Sequence, residues 1–174
     1  MALLALALAA SAVYRVAAPR AAAAEVKIGG PAPDLAFTTA GGVRHRLSEF
    51  RGRPVLLWLL ATWCPSCQAG TTAVARRLPE LTRAGLQIVQ LRLYGNLGYS
   101  GPPMAEFVRA YAGPAASSTH WIWGDASEAG SYTYDPRGYP DIYFLIGKDG
   151  VVRTIDSAPS ATMAQILAFA RGRH

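Results

Sequence analysis

The chain of 174 residues holds two cysteines, set in the run Trp63-Cys64-Pro65-Ser66-Cys67. Two thiols separated by two residues can form one reversible disulfide. If the motif opens a helix, Cys64 lies at the helix N-terminus, where unpaired N–H groups and the helix dipole stabilise a thiolate. Cys64 is then the nucleophile that attacks a partner disulfide. Cys67, about one helical turn further on, resolves the mixed disulfide. Pro65 suits the first helical turn, because the N–H it lacks would have no partner there. Pro65 and Ser66, between the thiols, also meet any docked substrate. Trp63 has two readings, a flat face that shields the pair and docks a partner, or an ordinary buried aromatic. A four-ligand zinc site would have to recruit His45, His120 or His174, none at finger-like spacing. As a static staple, a disulfide closing so short a loop contributes little chain entropy.

The surrounding pattern supplies the elements that would hold such a pair. Val55-Leu56-Leu57-Trp58-Leu59-Leu60 is a continuous apolar run of the kind found in strands buried on both faces. A helical stretch from Pro65 to about Leu81 and a second apolar segment, Leu86 to Tyr94, complete a strand-helix-strand unit with a right-handed crossover. Leu35–Thr39 and Val43–Leu47 flank Ala40-Gly41-Gly42 as a hairpin, and Ile142–Ile146 and Val151–Ile155 flank Gly147-Lys148-Asp149-Gly150 as another. A helix is expected at Met104–Tyr111 and a short strand at Trp121–Trp123. A loop rich in Gly, Ser and Tyr follows, and the chain closes on a helix over Ala161–Arg171 capped by Ser160. The fold class is α/β, with a mixed central sheet flanked by helices, an N-terminal hairpin and a central insertion.

Residues 29–174 read as one domain. Ahead of them, Ala2 to Val13 carries Ser11 as its one non-hydrophobic residue, and Ala21-Ala22-Ala23-Ala24 precedes Glu25. Residues 1–24 therefore read as an export signal or an N-terminal membrane anchor. Arg15 and Arg20 follow the apolar run instead of preceding it, the reverse of the usual charge order. Twelve helical residues reach only about 18 Å, short of the roughly 30 Å of a bilayer core. The net charge of +6, carried by 17 basic and 11 acidic residues, is spread along the chain and leaves no nucleic-acid footprint.

Four segments in order resemble the TlpA/ResA-like extracytoplasmic thiol-disulfide oxidoreductases of the thioredoxin superfamily, over roughly Gly29 to Arg171. They are Gly30-Pro31-Ala32-Pro33-Asp34-Leu35, Leu47-Ser48-Glu49-Phe50-Arg51-Gly52-Arg53-Pro54, Ala61-Thr62-Trp63-Cys64-Pro65-Ser66-Cys67, and Gly138-Tyr139-Pro140-Asp141 leading into Phe144–Gly150. The third is specific and the others add weight by their order. The resemblance implies a thioredoxin fold, a Cys64–Cys67 redox disulfide, and Pro140 as a cis-proline facing it, with the Tyr139 backbone free to pair with an extended client. It implies no cofactor. The partners it implies are client proteins with a disulfide or thiol pair, such as cytochrome c or oxidase subunits during maturation, and a membrane thiol reductase as electron donor. The compartment is extracytoplasmic, with a membrane tether through the N-terminus as one arrangement.

Two departures stand out. The superfamily often carries an acidic residue six positions before the first cysteine, and many TlpA/ResA-like members carry a glutamate six positions after it; here those positions are Trp58 and Gly70. A buried carboxylate assists deprotonation of the resolving thiol. Asp141, beside Pro140, is the candidate replacement, and a solvated turn carboxylate is its other reading. Two further functions share the fold. One is a Sco-like copper carrier using Cys64, Cys67 and His120, although that class separates its cysteines by three residues. The other is a thiol peroxidase, whose threonine stands three residues before the nucleophile, where this chain has Ala61. Between residues 94 and 139 the aromatic side chains either form a docking surface or fill core beneath loops.

Overall fold

The computed structural model describes residues 25–173, and the segment read as a signal or anchor lies outside them. Seven strands form one mixed sheet: β1 (Ala36–Thr39), β2 (Arg44–Arg46), β3 (Val55–Leu60), β4 (Gln87–Arg92), β5 (Trp121–Ala126), β6 (Asp141–Ile146) and β7 (Val152–Asp156). Their spatial order is β2-β1-β5-β4-β3-β6-β7. Strands β3, β4 and β5 run parallel, while β1, β6 and β7 pair antiparallel to their neighbours. Among the described residues four α-helices accompany them: α1 (Pro65–Arg83), α2 (Met104–Ala112), α3 (Glu128–Tyr134) and α4 (Met163–Ala170). This is the thioredoxin-like architecture expected from the sequence.

The run Val55–Leu60 is apolar throughout because the strand is covered on both sides. Leu56, Trp58 and Leu60 face the core beneath α1, α2 and α4, whereas Val55, Leu57 and Leu59 face a second core with Leu35, Phe50 and Tyr134. The period-two alternation of a strand thus feeds two hydrophobic layers. Two elements differ from expectation. The Gly-, Ser- and Tyr-rich stretch contains α3, whose N-cap Ser127 accepts a hydrogen bond from the Gly130 N–H. Helix α4 starts later than expected, with Thr162 and not Ser160 at its N-cap; the Thr162 hydroxyl accepts from the Tyr143 hydroxyl at 2.9 Å.

Between α3 and β6 the chain turns through Gly138, at φ 71°, and the Asp135 carboxylate accepts from the Tyr139 N–H at 2.9 Å. No peptide bond among the described residues is cis, so the bond before Pro140 is trans and the expectation of a cis-proline is corrected. The trans isomer is the intrinsically favoured one, by about 0.5–1 kcal/mol. Here the reversal of direction is made at Gly138 and held by Asp135, so the chain enters β6 without a cis bond. The Tyr139 N–H, expected to be free for a client strand, is already engaged.

Two measurements probe this packing. A Cβ on Gly70, inside α1, would stand 2.8 Å from Trp58 Cη2 and 3.2 Å from Pro159 Cδ. Gly70→Ala gains about 1 kcal/mol of helix propensity but overpacks a rigid ring, for a net loss of about 1–2 kcal/mol in denaturant unfolding. In a Trp58→Phe background the same substitution costs less, because the smaller ring vacates the contact.

Asp135 is 4 % exposed, its Oδ2 has no hydrogen-bond partner in the protein, and burial raises its pKa above the ordinary 3.8 despite backbone N–H donors. A raised carboxylate favours the protonated fold, so its contribution is complete below the unfolded pKa and is lost as pH climbs through the folded one. Asp135→Asn keeps an acceptor for Tyr139, and its melting temperature should fall less than the wild type's between about pH 4 and pH 7. Parallel curves would refute this assignment.

Candidate active site

Helix α1 begins at Pro65, and Cys64 is its N-cap residue in extended conformation, at φ −79° and ψ 123°. Strand β3 aims the motif, and the proline fixes the first turn. Both cysteines are free, Cys64 4 % exposed and Cys67 fully buried. The Cys67 Sγ–H donates to the Pro140 carbonyl at 3.0 Å, and the same carbonyl accepts the Ala61 N–H at 2.9 Å. Pro140 therefore closes the floor of the site through its backbone oxygen. Burial, with the nearby Asp141 charge adding to it, pushes the Cys67 thiol far above the ordinary range, so that Cys67 requires a base before it can attack.

That base candidate is within reach. Asp141 is the first residue of β6, paired with Leu60 at the end of β3, and is only 7 % exposed. It is a buried group at the thiols, which overturns its reading as a solvated turn carboxylate. Its Oδ1 accepts from the Trp58 indole N–H at 2.8 Å and its Oδ2 from the Ser66 hydroxyl at 2.6 Å. Ser66 Oγ in turn lies 3.0 Å from Cys64 Sγ. The two sulfurs and a carboxylate oxygen of Asp141 all lie within 4.8 Å of one another.

Trp58 thus stands in the place of the expected acid and orients a carboxylate delivered from another strand. The sequence marked Trp58 as a missing acid and gave no sign that its N–H would hold Asp141. The cue lay in strand pairing: with Leu60 opposite Asp141, Trp58 and Asp141 share one face of the sheet.

Trp63 is half-buried and anchored. Its indole N–H donates to the Asn96 carbonyl at 3.0 Å, and the Tyr99 ring packs edge-on at 5.1 Å. Gly95, Asn96 and Leu97 form a left-handed turn with φ of 58°, 53° and 59°. Asn96 is the one side chain there that earns its conformation through partners: it accepts the Thr62 N–H at 2.9 Å and donates to the Tyr99 carbonyl at 3.1 Å. Residue 96 was unmarked in the sequence, and an asparagine beside Gly95 was its only signal. Tyr139 is 49 % exposed and borders a groove of about 330 Å³ lined also by Pro140, Asp141 and Ile155.

His120 lies elsewhere. It precedes β5, where its carbonyl accepts the Ile88 N–H and its ring contacts the Leu86 carbonyl at 3.3 Å. This is the end of the parallel strands opposite to the cysteines, so the copper set of Cys64, Cys67 and His120 does not assemble. The donors that do assemble are the two thiols and Asp141: Ser66 bridges Cys64 to the carboxylate, while the Cys67 thiol is held on the Pro140 carbonyl within 4.8 Å of it.

Residues 28–98 match the AhpC/TSA family. The thiol-disulfide oxidoreductase ResA of Geobacillus kaustophilus is 28 % identical over 130 residues, covering 75 % of this chain and 69 % of the relative. ResA of Geobacillus thermodenitrificans is 29 % identical over the same length and coverage. Among solved structures, a thiol:disulfide interchange protein from Bacteroides sp. superposes with a TM-score of 0.62 at 16 % identity, covering 84 % of this chain and 92 % of that one. A Chlorobium tepidum protein assigned as the thiol:disulfide interchange protein DsbE gives 0.63 at 21 % identity, covering 85 % of this chain and all of the other. With a thioredoxin-like fold, a C-x-x-C pair at the head of α1 and an AhpC/TSA match over residues 28–98, the chain is similar to the thiol-disulfide oxidoreductases.

Proposed function

We propose that the protein is an extracytoplasmic reductase of client disulfides, working through Cys64 and Cys67 with Asp141 as proton acceptor for the resolving thiol. The observation that supports this most is the buried carboxylate of Asp141 beside a buried, free dithiol at a helix N-terminus. Cys64 thiolate attacks one sulfur of the client disulfide, and the other client sulfur leaves and takes a proton. Asp141 then takes the Cys67 proton, Cys67 attacks Cys64 Sγ, and the second client sulfur leaves and is protonated. Two electrons have passed to the client, and the Cys64–Cys67 disulfide is reset by a dithiol donor.

The clients of this reading are exported proteins with cysteine pairs, such as those of cytochrome c or oxidase maturation, and the donor is a membrane thiol reductase. The export reading rests on residues 1–24, which would direct or tether the domain. No helix among the described residues is long and apolar enough to cross a membrane. Trp63, Pro65 and Tyr139 would flank a docked client.

Trapping tests the roles. Cys67→Ser should accumulate a mixed disulfide on Cys64 when mixed with a fluorescent peptide disulfide, and Cys64→Ser should accumulate none. Equal trapping by both variants would remove the assignment of nucleophile and resolving thiol. Equilibration with glutathione tests direction: a potential near about −270 mV supports a reductase, and one near about −120 mV makes the protein an oxidant.

A further inference from the structure

Ser66 takes part in a second contact that thiol exchange by the two cysteines and Asp141 leaves without a task. The Ser66 hydroxyl has one hydrogen and two lone pairs, whereas an ionised carboxylate only accepts. At 2.6 Å from Asp141 Oδ2, the hydroxyl hydrogen is committed to the carboxylate. The 3.0 Å contact between Ser66 Oγ and Cys64 Sγ therefore has the thiol as donor while Cys64 is protonated. The chain thiol to hydroxyl to carboxylate is aligned before any client arrives. Asp141 cannot swing away from it, because its other oxygen is held by the Trp58 indole at 2.8 Å. A serine in the first turn of a helix commonly bonds its own backbone; this one reaches a residue 75 positions away.

We propose that Ser66 is a catalytic residue that relays the Cys64 proton to Asp141, with Trp58 as the positioning residue that keeps the carboxylate in line. The inference rests on the exchange chemistry proposed above and adds a route for the first proton. Ser66 gives its hydrogen to Asp141 Oδ2 and takes the hydrogen of Cys64. The products are a Cys64 thiolate, a protonated Asp141 and an intact serine whose new O–H points at the thiolate. No proton is lost and no co-reactant is needed. When the client sulfur leaves and is protonated, Asp141 returns to the carboxylate and is ready for Cys67. One acid thus serves both thiols in succession, the nucleophile through Ser66 and the resolving thiol at close range.

The relay has a signature that simple charge does not. Removing a negative charge next to a thiol on its own favours the thiolate and speeds alkylation at every pH. An internal transfer instead supplies thiolate even at acid pH, so the rate of Cys64 alkylation by iodoacetamide should level off there. The experiment compares, in the full chain carrying Cys67→Ala, the parent with Ser66→Ala, Ser66→Thr, Asp141→Asn and the Ser66→Ala/Asp141→Asn pair.

At about pH 5, Ser66→Ala and Asp141→Asn should each alkylate at least about tenfold more slowly than the parent and lose the level region. Ser66→Thr, which keeps the hydroxyl, should retain it, and the double variant should be no slower than either single one. Thermal melts report whether each variant is folded. Ser66→Ala or Asp141→Asn matching or exceeding the parent rate at acid pH would overturn the relay, as would multiplying effects in the double variant. Trapping on Cys64 that proceeds while these rates are unchanged defeats the relay alone; absence of any trapped disulfide defeats the exchange reading beneath it.

Discussion

The Trp58 indole, packed beneath the first turns of α1, is the constraint on which the site depends. Its ring lies so close to Gly70 that a Cβ there would meet it at 2.8 Å, and its N–H points along the sheet to Asp141. A ring in this volume leaves no room for an acidic side chain from α1 and replaces one from β3. The carboxylate must then come from β6, and Asp141 brings it with one oxygen fixed by the indole and the other open to Ser66. A buried carboxylate is costly unless it is hydrogen-bonded, and two donors are what make this one tolerable in an apolar core. Trp58 therefore joins two contacts, its ring against Gly70 and its N–H on Asp141, and Asp141 in turn holds Ser66.

A second fixed point is the left-handed turn at Gly95–Leu97. Non-glycine residues in that region cost of order 1–3 kcal/mol each, a cost borne where the surroundings hold them in place. Asn96 does so by binding both the strand exit at Thr62 and the carbonyl of Tyr99, while its own carbonyl holds Trp63. A Cβ on Gly101 would stand 2.7 Å from both Asn96 Nδ2 and Thr62 Oγ1, so the glycine lets this loop pack close against them. The residue before the nucleophile is thus clamped from a loop distant in sequence, and the edge-on Tyr99 ring extends its apolar face outward.

The central apolar run, the C-x-x-C pair and the two hairpins could be read from residue order because each is a local pattern: period, turn chemistry or spacing. The aromatic segment divided along lines that composition alone does not show. Trp121 is buried, with its N–H on the Gln90 side-chain oxygen, and Tyr134 is core, whereas Tyr94, Tyr99, Tyr132 and Tyr139 are exposed. What sequence reading missed is long-range. The bond between Trp58 and Asp141 spans 83 residues and exists because β3 and β6 pair in one register. A shift of one residue would turn Asp141 to the opposite core. Pro140 shows the converse failure: a residue pattern carried the expectation of a cis bond, and a turn made at Gly138 removed the need for it.

The proposed chemistry turns on Asp141 taking the resolving proton. Its most direct test is the rate at which Cys67 expels a client from Cys64, followed by stopped-flow fluorescence after mixing reduced protein with a peptide disulfide. Asp141→Asn should slow this resolution step by roughly 100-fold, the lower range for a lost general base, even though it removes a charge that opposes the Cys67 thiolate. Resolution at the wild-type rate or faster would show that Cys67 loses its proton elsewhere and would contradict the account.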